Sequence, residues 1–270
     1  MSYTWNGAPP PPPRPIGPAG WLRVLRRGAP ILGLLAVAFP LLLILRVPER
    51  LIAGQARPVT PWITQGVCIA ACFLIGLPRE MRGTPLRGPG AFVANHVSWL
   101  DIFVLNASGR ITFVAKSEVA GWAGIGWLAR GTGTVFIARE RRAAAGQAAL
   151  LRARLEAGER LMIFPEGTSS DGLRVLPFRA TLFAPFLNAD LDPGFRVQPI
   201  TLAYEAPEGE AAAFYGWWGD MAFGRSLMQV LAVRRQGRVR VTCHGPIAVT
   251  EVSDRKTLAK AAEDAVRARL

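Results

Sequence analysis

The sequence predicts an α/β chain: a mostly parallel sheet with helices on both faces, preceded by an N-terminal membrane-associated helical hairpin. Three observations carry this. From about residue 90 onward, apolar runs of strand length alternate with stretches of helical length. Ahead of them lie two apolar segments, 29–45 and 62–77. Each is shorter than the roughly 20 residues that a spanning helix needs. Finally, half of the 270 residues are hydrophobic, the mean hydropathy is +0.23 and the net charge is +13. That combination is apolar for a soluble enzyme and favours an anionic partner: acidic lipid, an acidic carrier protein or nucleic acid. Lysine occurs only at Lys116, Lys256 and Lys260, so the charge is almost all arginine.

In chain order, residues 1–20, with "PPPPPRP" at 9–15, cannot bury a core and read as a disordered tail. The stretch "GWLRVLRRGAP" is amphipathic and basic, with Trp21 as an interface anchor. Pro40 interrupts the first apolar run, and a charged connector holding Arg46, Glu49, Arg50 and Arg57 precedes the second. Residues 21–80 are thus expected as a membrane-associated segment: a hairpin sunk in one leaflet, or one to two tilted spans. The competing reading, core helices of a soluble protein, leaves the flanking arginines and tryptophans unexplained. Arginines flank every segment, so their placement gives no orientation. Residues 88–270 are expected as the catalytic part. Strands are predicted at 91–95, 111–115, 134–138, 161–164, 195–204 and 238–245. Helices are predicted at 98–107, 118–130, 141–157, 179–188, 222–232 and 254–269. Pro199, inside an apolar run, predicts an edge strand or a strand start. The three cysteines show no metal-ligand or disulfide spacing, which predicts a reducing compartment, and no metal or cofactor is expected.

Chemistry concentrates in four blocks. In "NHVSWLD", 95–101, Asn95 suits a turn after a buried strand, and Ser98 with Asp101 has capping-box spacing. A capped helix would hold Asp101 rigidly beside His96, where it can fix the tautomer that leaves the other ring nitrogen free as a base. A loop histidine beside a cap is the bland alternative. In "GTGTVFIARE", a glycine-opened strand ends in Arg139, a fork of donors for phosphate or carboxylate, or simply a surface arginine. In "LMIFPEGTSSDG", an apolar strand runs into Glu166, an odd acid in so basic a chain. Gly167 there lets a ligand approach the backbone, and Thr168, Ser169 and Ser170 offer an anion cradle or an ordinary turn. The fourth block is "VQPITLAY".

In this order the blocks resemble the glycerolipid acyltransferase family, of the lysophosphatidic acid acyltransferase (PlsC) type, over roughly residues 90–205. The carriers are His96 and Asp101, Gly133 to Arg139 as "GTVFIAR", "FPEGT" at 164–168, and a proline-containing apolar strand. The resemblance implies that His96 is a general base, that Asp101 orients it and that no covalent acyl-enzyme forms. It also implies that Arg139 contacts the acceptor head group, and that Glu166 and Gly167 shape the acceptor site. Thr168, Lys116 and Arg179 are further substrate-binding candidates. Ser169 stands where many phosphate-acceptor members carry arginine, and "EGTSSDGLRVLPFRATLF" looks more like the lyso-ornithine-lipid (aminolipid) O-acyltransferases. The acceptor implied is therefore a lyso-ornithine lipid or related lyso-aminolipid, with 1-acyl-sn-glycerol-3-phosphate as the alternative; Arg139, Arg174 and Arg179 remain available for a phosphate. The implied donor is an acyl-acyl carrier protein or acyl-CoA thioester, used at the cytoplasmic face of the inner membrane.

Two other classes compete. A serine lipid hydrolase would need Ser169 or Ser170 with His96, but the chain has no Gly-x-Ser-x-Gly elbow. A non-enzymatic protein docked on membrane or nucleic acid is the other, and no nucleic acid partner is expected, because the arginines are spread and no binding motif accompanies them.

Overall fold

Side-chain alternation along the strands decides the layers. The computed structural model describes residues 9–12, 14–88, 90–138, 144–187, 192 and 194–270. Its sheet contains β1 (Arg79–Arg82), β2 (Gly90–Ala94), β3 (Thr112–Lys116), β4 (Val135–Ile137), β5 (Leu161–Ile163), β6 (Arg196–Glu205), β7 (Arg238–Cys243) and β8 (Ile247–Ala248). The order is β1-β7-β6-β2-β5-β3-β4, with β8 beside β6. The run β6-β2-β5-β3-β4 is parallel throughout, whereas β7 and β8 pair antiparallel to β6. Phe92, Ala94, Met162, Ile200 and Leu202 point into one core, and Ala91, Val93, Leu161, Ile163 and Val197 into another. Helices cover both faces, as predicted. On the first lie α1 (Pro18–Ala53), α2 (Thr60–Ile75), α3 (Leu100–Ser108) and α6 (Phe223–Ala232). On the second lie α5 (Ala144–Glu156) and α7 (Arg255–Arg267).

All six predicted strands form. β1 and β8 were not predicted, for a physical reason. "REMR" has no apolar alternation because β1 is an edge strand, and β8 is only two residues long. The sheet therefore begins at Arg79, ahead of position 88. The helix predicted at 118–130 splits into a 3-10 turn, Ser117–Gly121, and α4 (Ile125–Thr132), because Gly124 takes a φ of 72° between them. The helix predicted at 179–188 is a 3-10 turn over Ala180–Phe186, with Pro185 inside it unable to donate an α-helical bond.

Pro199 is a correction too: it sits mid-strand in β6, paired with Val93 of β2. Its carbonyl accepts from the His244 amide at 3.0 Å, on the side where β8 gives way to β7. The missing N–H faces that same break in the ladder, so the strand tolerates proline without an edge.

The N-terminal segment is less separate than the sequence implies. α1 runs unbroken for 36 residues through Pro30, Pro40 and Pro48, where the sequence reading placed an interruption. The helix is docked near both ends. Arg27 is buried and donates to the carbonyls of Leu231 (2.8 Å) and Val233 (2.7 Å), capping the end of α6. Near the other end, the buried Glu49 carboxylate accepts from the Val59 and Thr60 amides and from the Thr60 hydroxyl, which caps the start of α2. Arg14 also reaches back to Glu210 at 3.0 Å, so chain from position 14 is docked on the body.

Between α1 and α2, Arg57 lies against Gly133, whose φ of 88° ends α4. An added methyl group there would overlap the guanidinium and strain the backbone. Gly133→Ala should therefore cost about 1–3 kcal/mol, read as a lower Tm in detergent. An unchanged Tm would mean that this contact is slack.

Candidate active site

The five parallel strands end on one side of the sheet, and the candidate residues lie at or just beyond those ends. Asn95 fixes the exit from β2. Its side chain donates to the Leu202 carbonyl (2.9 Å) and accepts from the Leu202 amide (2.8 Å), continuing the β2–β6 ladder by one side chain. It is more than a turn former. His96 follows immediately, its ring stacked on Phe164 at 4.1 Å between centroids.

Asp101 sits fully buried in the first turn of α3. Its Oδ2 accepts from the Val97 amide (2.7 Å) and the Ser98 amide (3.0 Å) and lies 2.7 Å from His96 Nδ1. An oxygen already accepting from two amides is an acceptor for the ring as well, so Nδ1 carries the proton and Nε2 keeps its lone pair. The predicted capping box forms in one direction only: the carboxylate reaches back to the Ser98 amide, while the Ser98 hydroxyl accepts from Leu100 at 3.3 Å and not from Asp101. The backbone of the loop and the imidazole thus share one carboxylate.

The loop after β5 closes on this pair. Glu166 is buried and its Oε1 accepts from the His96 amide at 3.2 Å. Its Oε2 is buried without a hydrogen-bond partner among the described residues. Burial pushes the carboxyl up to about 9, and the Asp101 charge adds to this against the pull of the His96 and Leu176 amides. A neutral Glu166 suits an oxygen with no donor to meet it. Gly167 turns with a φ of 70°, and the exposed Arg179 side chain lies over it. The Thr168 hydroxyl makes a long contact, 3.4 Å, to the Ser169 carbonyl.

Of the three residues offered for an anion cradle or an ordinary turn, Ser170 serves the turn. Its amide (2.9 Å) and hydroxyl (3.2 Å) both donate to the His96 carbonyl, so the residue ties two loops together. Among the described residues no hydrogen bond joins the Ser170 hydroxyl to the imidazole, against a serine-hydrolase pairing. Lys116, half-buried, ends β3 on the same sheet edge, two strands from β2. Arg139 lies outside the described residues. Arg174 pairs with Asp171 at 3.0 Å. His244 hydrogen-bonds Thr201 at 2.8 Å, and burial holds its imidazole below the ordinary value.

Sequence reasoning missed Tyr204. Its hydroxyl donates to Asp101 Oδ1 at 2.8 Å. The signal available was parity: Tyr204 shares a strand face with Leu202 and Ile200, so its hydroxyl enters an apolar core and requires a partner.

Comparison with known proteins is decisive at this point. The acyltransferase family model matches residues 78–203. The chain is 51% identical over 263 residues to a lyso-ornithine lipid O-acyltransferase of Rhodobacter capsulatus, covering 97% of this chain and 95% of that protein. The chain belongs to the acyltransferase family. It is also 35% identical to a lyso-ornithine lipid O-acyltransferase of Pseudomonas aeruginosa (91% and 93% covered). To a 1-acyl-sn-glycerol-3-phosphate acyltransferase of Neisseria meningitidis the identity is 33% (76% and 79% covered). The crystal structure of the 1-acyl-sn-glycerophosphate acyltransferase PlsC from Thermotoga maritima shares the fold, with a TM-score of 0.59 at 20% identity (92% and 95% covered). This acyltransferase associates with the membrane. α1 is long and apolar enough to cross one, and only 6% of its most apolar window is covered by protein. Leu22, Leu25, Leu32, Val37, Ile44, Trp62 and Phe73 all face outward.

Proposed function

We propose that the protein acylates the free hydroxyl of a lyso-ornithine lipid or related lyso-aminolipid from an acyl thioester. His96 Nε2 takes the hydroxyl proton as the oxygen attacks the thioester carbonyl. A C–O bond forms, the tetrahedral intermediate collapses, the C–S bond breaks, and the leaving thiolate recovers the proton from His96. Asp101 orients the ring and offsets its positive charge. A positioned base of this kind contributes about 10²–10⁴-fold. Glu166, neutral and seated against the His96 amide, shapes the acceptor site together with Gly167 and Thr168. Arg139, Arg179 and Lys116 meet anionic groups of acceptor and donor. The donor is acyl carrier protein or CoA thioester, which sets the site at the cytoplasmic face of the inner membrane. In this reading the chain divides in outline into tail (1–20), membrane-associated segment (21–80) and catalytic part (88–270), with the tail shortened by the docking of Arg14 and the start of α1 at Pro18, and the catalytic part extended to β1 at Arg79.

The observation that carries the acceptor is the 51% identity, across 97% of the chain, to a protein named for that acceptor. Ser169, where phosphate-acceptor relatives of the family carry arginine, agrees with it. A glycerophosphate acceptor is the second reading, favoured by the Neisseria match and by the arginines at 139, 174 and 179. Purified protein should be offered lyso-ornithine lipid and lysophosphatidic acid side by side with acyl-acyl carrier protein. Preferential turnover of the aminolipid is expected; preference for lysophosphatidic acid would replace the first reading with the second.

A further inference from the structure

Asp101 is a hub with two differently used oxygens. Oδ2 faces the imidazole and two backbone amides, all supplied by residues 96–98. Oδ1 faces away from that loop and receives the hydroxyl of Tyr204, from the end of β6 and 103 positions along the chain. We propose that Tyr204 is a positioning residue for acyl transfer: its hydroxyl pins the outer oxygen of Asp101 and so sets both the aim and the charge distribution of the carboxylate that holds His96. The proposal rests on the reading of His96 and Asp101 as base and orienting group.

The geometry gives Tyr204 this role and no other. Its ring is tilted against Tyr215 at 5.3 Å, in the core beneath α2 and α6, so the phenol has a single direction to point. Tyr215, in turn, is fixed by its own hydroxyl, which donates to Gln236 at 2.8 Å and accepts from the Gly237 amide at 2.8 Å. Burial and the neighbouring Asp101 hold the Tyr204 hydroxyl well above its ordinary value, so it stays a donor throughout the working range. Rotation of a carboxylate about its terminal torsion is soft. With only one oxygen held by the 96–98 loop, the other is the lever by which the group would turn. A strand of the sheet therefore holds that lever still.

A donor on Oδ1 also draws negative charge away from Oδ2. Removing it strengthens the pull of Asp101 on the imidazole proton, and sharpening it does the reverse. Tyr204→Phe keeps the ring packing and deletes the donor. It should lower kcat about tenfold, the scale of one hydrogen bond to a charged group, with KM nearly unchanged. The acidic limb of the kcat/KM profile should move to higher pH. Site-specific 3-fluorotyrosine at 204, a stronger donor of almost the same shape, should move that limb to lower pH. Packing alone cannot produce opposite shifts. The effect of Tyr204→Phe should also disappear in an Asp101→Asn background, because the two changes act on one carboxylate.

His96→Ala, run in parallel, separates the two ideas. If it remains active, the base assignment fails and this proposal with it. If it is inactive while Tyr204→Phe matches the wild type in kcat and pH profile, only the role of Tyr204 is overturned. Should Tyr204→Phe fail to fold, the fluorotyrosine protein carries the test alone, and an unmoved acidic limb would overturn the proposal.

Discussion

His96→Ala should lower acyl transfer by about 10³-fold, within the range expected for loss of a positioned general base, and leave the fold intact. The side chain keeps about a fifth of its surface open, and its ring stacks on Phe164 without anchoring the core. The bonds that hold the loop are made by the backbone: the His96 amide to Glu166, and the His96 carbonyl to Ser170. Alanine retains all of these. The loss should therefore appear in kcat with an unchanged Tm and unchanged vesicle binding. Exogenous imidazole should restore part of the activity, because the space left beside Asp101 is that of the missing ring. Activity within tenfold of the wild type would remove His96 from the chemistry. Collapse of the fold would mean that the ring is structural after all.

A large pH effect on stability is expected from Glu166. Burial raises its carboxyl from 4.5 to about 9. In the unfolded chain it ionises near the lower value, so between the two the folded protein keeps a proton that the unfolded chain releases. The stability contributed by this proton is fully present below about pH 4.5 and is lost as the pH rises through about 9. The slope is about 1.4 kcal/mol per pH unit, several kcal/mol in all. Thermal unfolding in detergent between pH 5 and 9 should show Tm falling with pH, and Glu166→Gln, which mimics the neutral form, should flatten that dependence. Parallel curves for the two proteins would mean that Glu166 is ionised in the folded state. The same proton bears on mechanism, since a neutral carboxyl next to the His96 amide does not compete with Asp101 for the imidazole's charge.

What the sequence made legible follows from distance along the chain. His96 and Asp101 are five positions apart, and the helix-start chemistry that brings them together is local. Glu166 stood out because an acid in so cationic a chain, at the end of an apolar strand, needs a reason. The six strands with clear apolar runs were readable by period alone. Tyr204 was not, because its partner comes from another strand's loop and no spacing announces it. The same holds for Arg27, part of the amphipathic basic stretch in the sequence but used to cap a helix some 204 positions later. Ser170 looked like a ligand-binding hydroxyl because composition cannot reveal that a neighbouring loop's carbonyl claims it first. β1 was invisible for a related reason: an edge strand with no alternation is recognised only through the strand it pairs with.

The docking of α1 at both ends has a consequence for how substrate arrives. Arg27 fastens its first third to α6, and Glu49 and Arg57 fasten its far end to α2 and to the turn before β4. α1 is thus held on the body at both ends, so its orientation relative to the sheet is set by these contacts. Under the proposed function, a lyso-lipid would reach His96 by lateral diffusion within its own leaflet. Turnover in vesicles should accordingly follow the mole fraction of acceptor in the membrane, and diluting the vesicles at constant composition should change it little once the protein is bound.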